Sequence, residues 1–203
     1  MRWFQRKLPF RLVDFFYILV FLLYIVVRID SLGSIEQYRH YPDTNRYKQV
    51  ANRLLTSVDF WAAETPVAIP LIRKIFQGNN VHIVWFQTVF SIFSWGVLAF
   101  VVSRAMHATW TKMASFFLLL AFSSSSVIVL WDWVLLSESI SGSLMAIFIA
   151  TWIWVLQACS WQWERVVVMM VVGVLWMYTR DTNALIVLMI TCFVALFIVL
   201  GQA

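Results

Sequence analysis

The chain is short of charge, short of cysteine and without the common signatures of soluble enzymes. Only 12% of its 203 residues are charged while 62% are hydrophobic, against about 25% and about 45–50% in a soluble domain. So few charges cannot solvate the surface of a globule of this size, which excludes a soluble fold and points to a membrane protein. Cysteine is limited to Cys159, beside a short charged loop, and Cys192, inside an apolar run. Two thiols so placed exclude a disulfide framework. No Walker loop, H-E-x-x-H, G-x-S-x-G or CxxC pattern occurs, so the chemistries those patterns carry have no footing here. No stripe of Lys and Arg with interleaved aromatics suggests nucleic acid. The surplus of 15 basic over 10 acidic residues, a net +5, points instead to lipid headgroups or phosphate.

What is present is a series of apolar runs. Crossing about 30 Å of hydrocarbon at about 1.5 Å per residue takes about 20 mostly apolar residues. By that rule the chain carries six spans: Leu12 to Val27, Val81 to Val102, Met113 to Leu130, Val134 to Gln157, Val166 to Tyr178 and Ala184 to Leu200. The expected fold is therefore all-α, a polytopic membrane protein forming a single domain over 1–203. The first span follows Arg2, Arg6, Lys7 and Arg11, and its flank Arg28-Ile29-Asp30 offers no cleavage site, so it reads as a retained anchor with a cytoplasmic N-terminus. With that orientation the short inner loops add Arg104, Lys112 and Arg165, whereas the short outer loops hold Arg180 alone. The long loop 30–80 then lies outside the cytoplasm. It breaks the rule with Arg28, Arg39, Arg46, Lys48, Arg53, Arg73 and Lys74, charges that need a local job.

That loop has helical periodicity. Tyr47, Val50, Ala51, Leu54, Leu55 and Val58 recur on one face while Arg46, Lys48, Gln49, Asn52 and Arg53 occupy the other, which predicts a helix lying in the outer interface. A second short helix is expected over Pro66 to Phe76, starting near Pro70 and ending on Arg73 and Lys74 before Gly78.

Acidic residues in or beside a bilayer carry the most information, because an ionised carboxylate there needs a partner or a hydrated cavity. Asp43, Asp132 and Glu138 are such residues, and all fall at the outer side with Arg180-Asp181. Asp43 suits a helix N-cap as well as a catalytic carboxylate. Glu138, about a turn into the fourth span among Ser137, Ser139, Ser141 and Ser143, suits a site, with the serines as hydrogen-bond donors. Asp132, between Trp131 and Trp133, reads as a solvated surface residue. Ser123 to Ser126 either line the same polar pocket or bond back to their own helix carbonyls. Arg180 is unable to face its neighbour Asp181 on a helix, and a guanidinium there suits phosphate as well as lipid headgroups. His40, three residues before Asp43, leaves a divalent metal open.

Four short motifs, in order, resemble those of the GT-C superfamily of polytopic glycosyltransferases, in particular bacterial relatives of dolichyl-phosphate-mannose-protein mannosyltransferases and aminoarabinose transferases. Pro42-Asp43-Thr44-Asn45-Arg46-Tyr47 resembles the acidic motif of the first outer loop. Thr65-Pro66-Val67-Ala68-Ile69-Pro70-Leu71 is similar to its proline-spaced segment, with Val67 and Ala68 where many members have further Pro or Gly. Leu136-Ser137-Glu138-Ser139 resembles the motif opening a later span. Tyr178-Thr179-Arg180-Asp181-Thr182-Asn183-Ala184-Leu185 resembles a T-R-P-T-A-L junction, departing from it at Asp181. The resemblance implies an integral protein of the bacterial inner membrane, working at its extracytoplasmic face. It implies transfer of a sugar from a lipid-linked donor, a polyprenyl phosphate, to an acceptor hydroxyl. It assigns Asp43 as catalytic base and Glu138 as a second acidic contact. Arg180, Arg46, Tyr47 and Asp132 become substrate or phosphate contacts, and the other loop cations face the anionic donor. The family includes metal-dependent and metal-independent members. It also implies that the chain is the N-terminal portion of a larger module, with a partner subunit or a C-terminal part to complete it. The competing expectation is a non-catalytic membrane subunit or a transporter, in which Glu138 and Arg180 line a pathway.

Overall fold

The computed structural model describes residues 10–33, 41–158 and 162–190, with side chains from residue 12 onward. Arg2, Arg6, Lys7, Arg39, His40, Cys159, Trp161, Cys192 and the stretch 191–200 of the sixth expected span lie outside the described residues.

Among the described residues the elements are helices, with no strand. In chain order they are α1 (Phe10–Asp30), α2 (Pro42–Ala51), α3 (Val58–Trp61), α4 (Ala68–Ile75), α5 (Asn80–Ala105), α6 (Thr109–Ser123), α7 (Ser126–Asp132), α8 (Glu138–Leu156) and α9 (Trp163–Met177). They are followed by α10 (Asp181–Ile190). Three of them, α1, α5 and α8, are long and apolar enough to cross a membrane, consistent with an integral membrane protein. The third expected span is broken: α6 and α7 bend by 55° between Ser123 and Ser126. The serines cause the break by bonding back along the helix, since the hydroxyls of Ser123 and Ser124 both donate to the Leu120 carbonyl, at 2.9 and 3.0 Å. The fifth run gives a helix of 15 residues, about 22 Å long at about 1.5 Å per residue and short of the hydrocarbon thickness.

The bundle is built around α5 and α8, with α6 and α1 on one side and α9 on the other. Small buried residues allow the close packing: Ser91, Ser94 and Ala99 on α5, and Ser139, Ser143, Ala146 and Ala150 on α8. Where α1 approaches α5, a Cβ on Gly96 would stand 2.6 Å from the Phe21 ring, so the ring packs this closely only against a glycine. The opposite face of α1, with Phe15, Ile18, Leu22 and Val26, is exposed, as expected of a lipid-facing helix.

The segment 42–76 caps one end of the bundle, the end that also carries Asn80, Asp132, Glu138 and Arg180. Its helix differs from the expected one. It begins at Pro42, ends at Ala51, and buries Tyr47 and Val50. The apolar face is thus covered by protein, where Tyr47 and Ile69 join Ile140, Leu144, Phe148 and Trp176 in one cluster. Leu54, Leu55 and Val58 are not on the helix and stay exposed. A distant residue satisfies the helix end: Lys74 Nζ donates to Ala51 O at 2.9 Å and, just beyond the helix, to Arg53 O at 2.6 Å. The second loop helix, α4, falls where expected. Gly78 closes it, with φ +73° and its N–H on the Arg73 carbonyl at 2.8 Å. The fourth expected span starts later than its apolar run, because Val134, Leu135 and Leu136 form a buried non-helical plug and the helix opens at Glu138.

Candidate functional site

Glu138 is the first residue of α8, not a turn inside it. Its Oε1 lies 3.4 Å from Arg180 Nη1, in an ion pair whose guanidinium remains 42% exposed. Its Oε2 is buried with no hydrogen-bond partner among the described residues. Arg180 stands in the turn between α9 and α10, and that turn is fixed by its neighbours. Thr179 is fully buried and donates to the Trp176 carbonyl at 2.6 Å. Asn183 Nδ2 reaches Ser141 Oγ at 2.8 Å and Thr179 Oγ1 at 2.9 Å. Ser141 is one turn along α8 from Glu138, so this clip sets Arg180 opposite the carboxylate.

Tyr47 stands at the centre. Its ring is buried in the core, and its hydroxyl lies within hydrogen-bonding reach of Ser137. Burial pushes its phenol above the ordinary tyrosine value. The negative charges of Glu138 and Asp43 add to that shift, and Ser137 and Arg180 oppose it. Of the expected site residues, Glu138 and Arg180 meet directly in their ion pair, while Asp43 lies one turn before Tyr47 on α2. Asp43 is not the N-cap: Tyr41 holds that position, extended at φ −121°, and Pro42 and Asp43 follow in the first turn. Thr44 does the capping instead, accepting the Tyr41 N–H at 3.1 Å and lying buried against the Leu135 carbonyl. That leaves the exposed Asp43 carboxylate free of the capping bond, in the first turn of the helix. Arg46 is exposed on the same helix.

Beside this cluster is an apolar groove of about 340 Å³, lined by Trp61, Leu71, Phe86, Phe90, Leu144 and Tyr178 among others. Ile140 and Thr179 also line it, two residues from Glu138 and next to Arg180 in the chain. Its size lies at the lower end of the range of ligand pockets, about 300–1,000 Å³.

Two expectations fail here. Asp132 is not at a solvated surface: it is 2% exposed and paired with Arg28, itself 1% exposed. Ser139 Oγ donates to its other oxygen at 2.6 Å, while Arg28 also donates to Ser91 Oγ at 2.8 Å and to the Ser123 carbonyl at 2.6 Å. Asp132 therefore neutralises α1's arginine and is not part of the Tyr47 cluster. Four of the seven loop cations have partners inside the protein. Arg28 is buried in that pair, Arg73 is buried and donates to Asn80 at 3.2 Å, and Lys74 and Arg53 bind backbone carbonyls. For these four, part of the local job is to tie the fold together. No group of three His, Cys, Asp or Glu that could hold a metal occurs among the described residues.

Sequence reasoning missed Asn183 and Thr44 as positioning residues, although each sits inside a motif it singled out. No protein-family model, curated protein or solved structure matches the chain.

Proposed function

We propose that the chain is a GT-C-like glycosyltransferase of six membrane passes. In this reading α6–α7 make one broken pass, and the α9 and α10 regions supply the last two. The cytoplasmic N-terminus sets the Tyr47 cluster at the extracytoplasmic face of a bacterial inner membrane. The observation that carries the reading is the ion pair of a partly exposed, phosphate-competent guanidinium, Arg180, with Glu138, next in the chain to residues that line an apolar groove. A polyprenyl phosphate has this pairing of chemistries, a long apolar tail and an anionic head.

In the reaction, the acceptor hydroxyl oxygen attacks the anomeric carbon of the sugar and the bond from that carbon to the phosphate oxygen breaks. Asp43, exposed at the helix start, takes the acceptor's proton. The electron pair leaves on the phosphate, whose developing charge Arg180 neutralises. Tyr47, kept neutral by burial, donates its hydroxyl hydrogen bond to the reacting groups, and Glu138 orients Arg180 and contacts sugar or acceptor hydroxyls.

The test is paired. Arg180→Gln is expected to abolish binding of a synthetic polyprenyl phosphate to the protein in lipid nanodiscs. Asp43→Asn is expected to keep that binding and lose sugar transfer in membranes of expressing cells. Unchanged binding in Arg180→Gln, or unchanged transfer in Asp43→Asn, sinks the corresponding assignment.

A further inference from the structure

The turn after α2 exposes large apolar side chains while being held rigid. Leu54 is 71% exposed, Val58 77% and Trp61 55%. They do not dangle: Trp61 Nε1 donates to the Leu55 carbonyl at 2.7 Å, Ser57 Oγ to the Leu54 carbonyl at 2.9 Å, and Arg53 Nη1 to the Asp59 carbonyl at 2.7 Å. Phe60 anchors the turn from beneath, fully buried with Val50 and Val67. A rigid turn that presents apolar side chains outward needs an apolar neighbour.

The depth of that turn identifies the neighbour. Helix α5 has 26 residues, about 39 Å of rise, and so overhangs about 30 Å of hydrocarbon by about 4–5 Å at each end if centred. Phe86 lies six residues past Asn80, about 9 Å along the axis, and thus about 4–5 Å below the hydrocarbon boundary. Trp61 lines the same groove as Phe86 and Phe90, so it stands at the boundary where Trp favours a bilayer. Arg53, exposed at the head of the turn, sits where a guanidinium meets headgroup phosphates.

We infer that residues 54–61 form a knuckle inserted into the bilayer leaflet at the capped end, with lipid acyl chains as its neighbour. The open side of the groove then faces lipid, and its ligand enters sideways past Trp61. This holds whatever reaction the site performs and whichever way the chain crosses.

The test uses the full chain with Cys159 and Cys192 replaced by alanine, carrying single spin-labelled cysteines and reconstituted into phosphatidylcholine and phosphatidylglycerol vesicles. Leu54→Cys and Val58→Cys are compared with Val89→Cys, exposed on α5, and Gln49→Cys, exposed on α2. Collision rates with oxygen and with a water-soluble nickel complex are read for each. The knuckle labels are expected to match Val89→Cys, with an oxygen-to-nickel ratio several-fold above Gln49→Cys. A ratio like that of Gln49→Cys places the turn in water and overturns the inference. Protection from both reagents places it against protein and overturns it equally.

Discussion

The buried pair between Arg28 and Asp132 offers the sharpest test of how this bundle holds together. Helix α1 is the least enclosed of the three long helices, with only 11% of its best apolar window buried. Its ties to the rest include the Tyr17 hydroxyl on Ser103 Oγ at 2.6 Å, Phe21 against Gly96, Tyr24 in the core, and Arg28 in the interior. Replacing Asp132 by leucine keeps the volume and removes the countercharge, leaving a buried guanidinium with Ser91 and the Ser123 carbonyl. Stranding one member of a buried pair costs about 3–5 kcal/mol. The two surviving hydrogen bonds hold the expectation near the low end, about 3 kcal/mol, or about a hundredfold and more in the folding equilibrium. Arg28→Met alone strands the carboxylate with Ser139 and costs a similar amount. The double variant Arg28→Met with Asp132→Leu strands nothing and is expected within about 1 kcal/mol of the original chain, because apolar replacement of a whole buried pair is often neutral. Unfolding of the four proteins in detergent, followed by helix content and tryptophan emission, gives the cycle. If Asp132→Leu costs under about 1 kcal/mol, or the double variant loses the sum of the singles, the pair is not the buried latch described here.

Two further outcomes follow from the Tyr47 cluster. Asn183→Ala removes the clip between the α9–α10 turn and α8, and is expected to cost about 1–3 kcal/mol as buried hydrogen-bond partners are left unmade. It should also weaken phosphate binding at Arg180, so full-strength binding in a destabilised variant would separate the clip from the site. The Tyr47 phenol titrates above the ordinary value in the folded protein. As pH rises through about 10 the unfolded chain loses this proton first, so its contribution is intact below that pH and lost above it. Stability measured from pH 8 to 11 is expected to fall more steeply in the original chain than in Tyr47→Phe; equal slopes contradict the buried neutral hydroxyl.

Composition and run length alone were enough to read an all-helical chain with membrane-crossing helices, because a low charge content and apolar stretches of about 20 residues leave few other solutions. Local chemistry likewise marked Glu138 and Arg180, since a carboxylate and a guanidinium among apolar runs call for partners wherever the chain goes. Which partners they take is a long-range matter. Asp132 looked solvated between two tryptophans, yet its arginine comes from 104 residues away in the chain. The periodic stretch from Tyr47 to Val58 satisfies a helix by pattern, but the helix ends at Ala51, whose carbonyl is taken by Lys74, 23 residues beyond. The serine run allowed both a pocket and back-bonding to its own helix; its hydroxyls bonded backward, Arg28 took the Ser123 carbonyl, and the expected span bends there. Pattern and composition act over a few turns and so decide what kind of element forms and which residues must be satisfied. Which distant group satisfies each buried charge and each helix end depends on packing, and only the tertiary structure decided that.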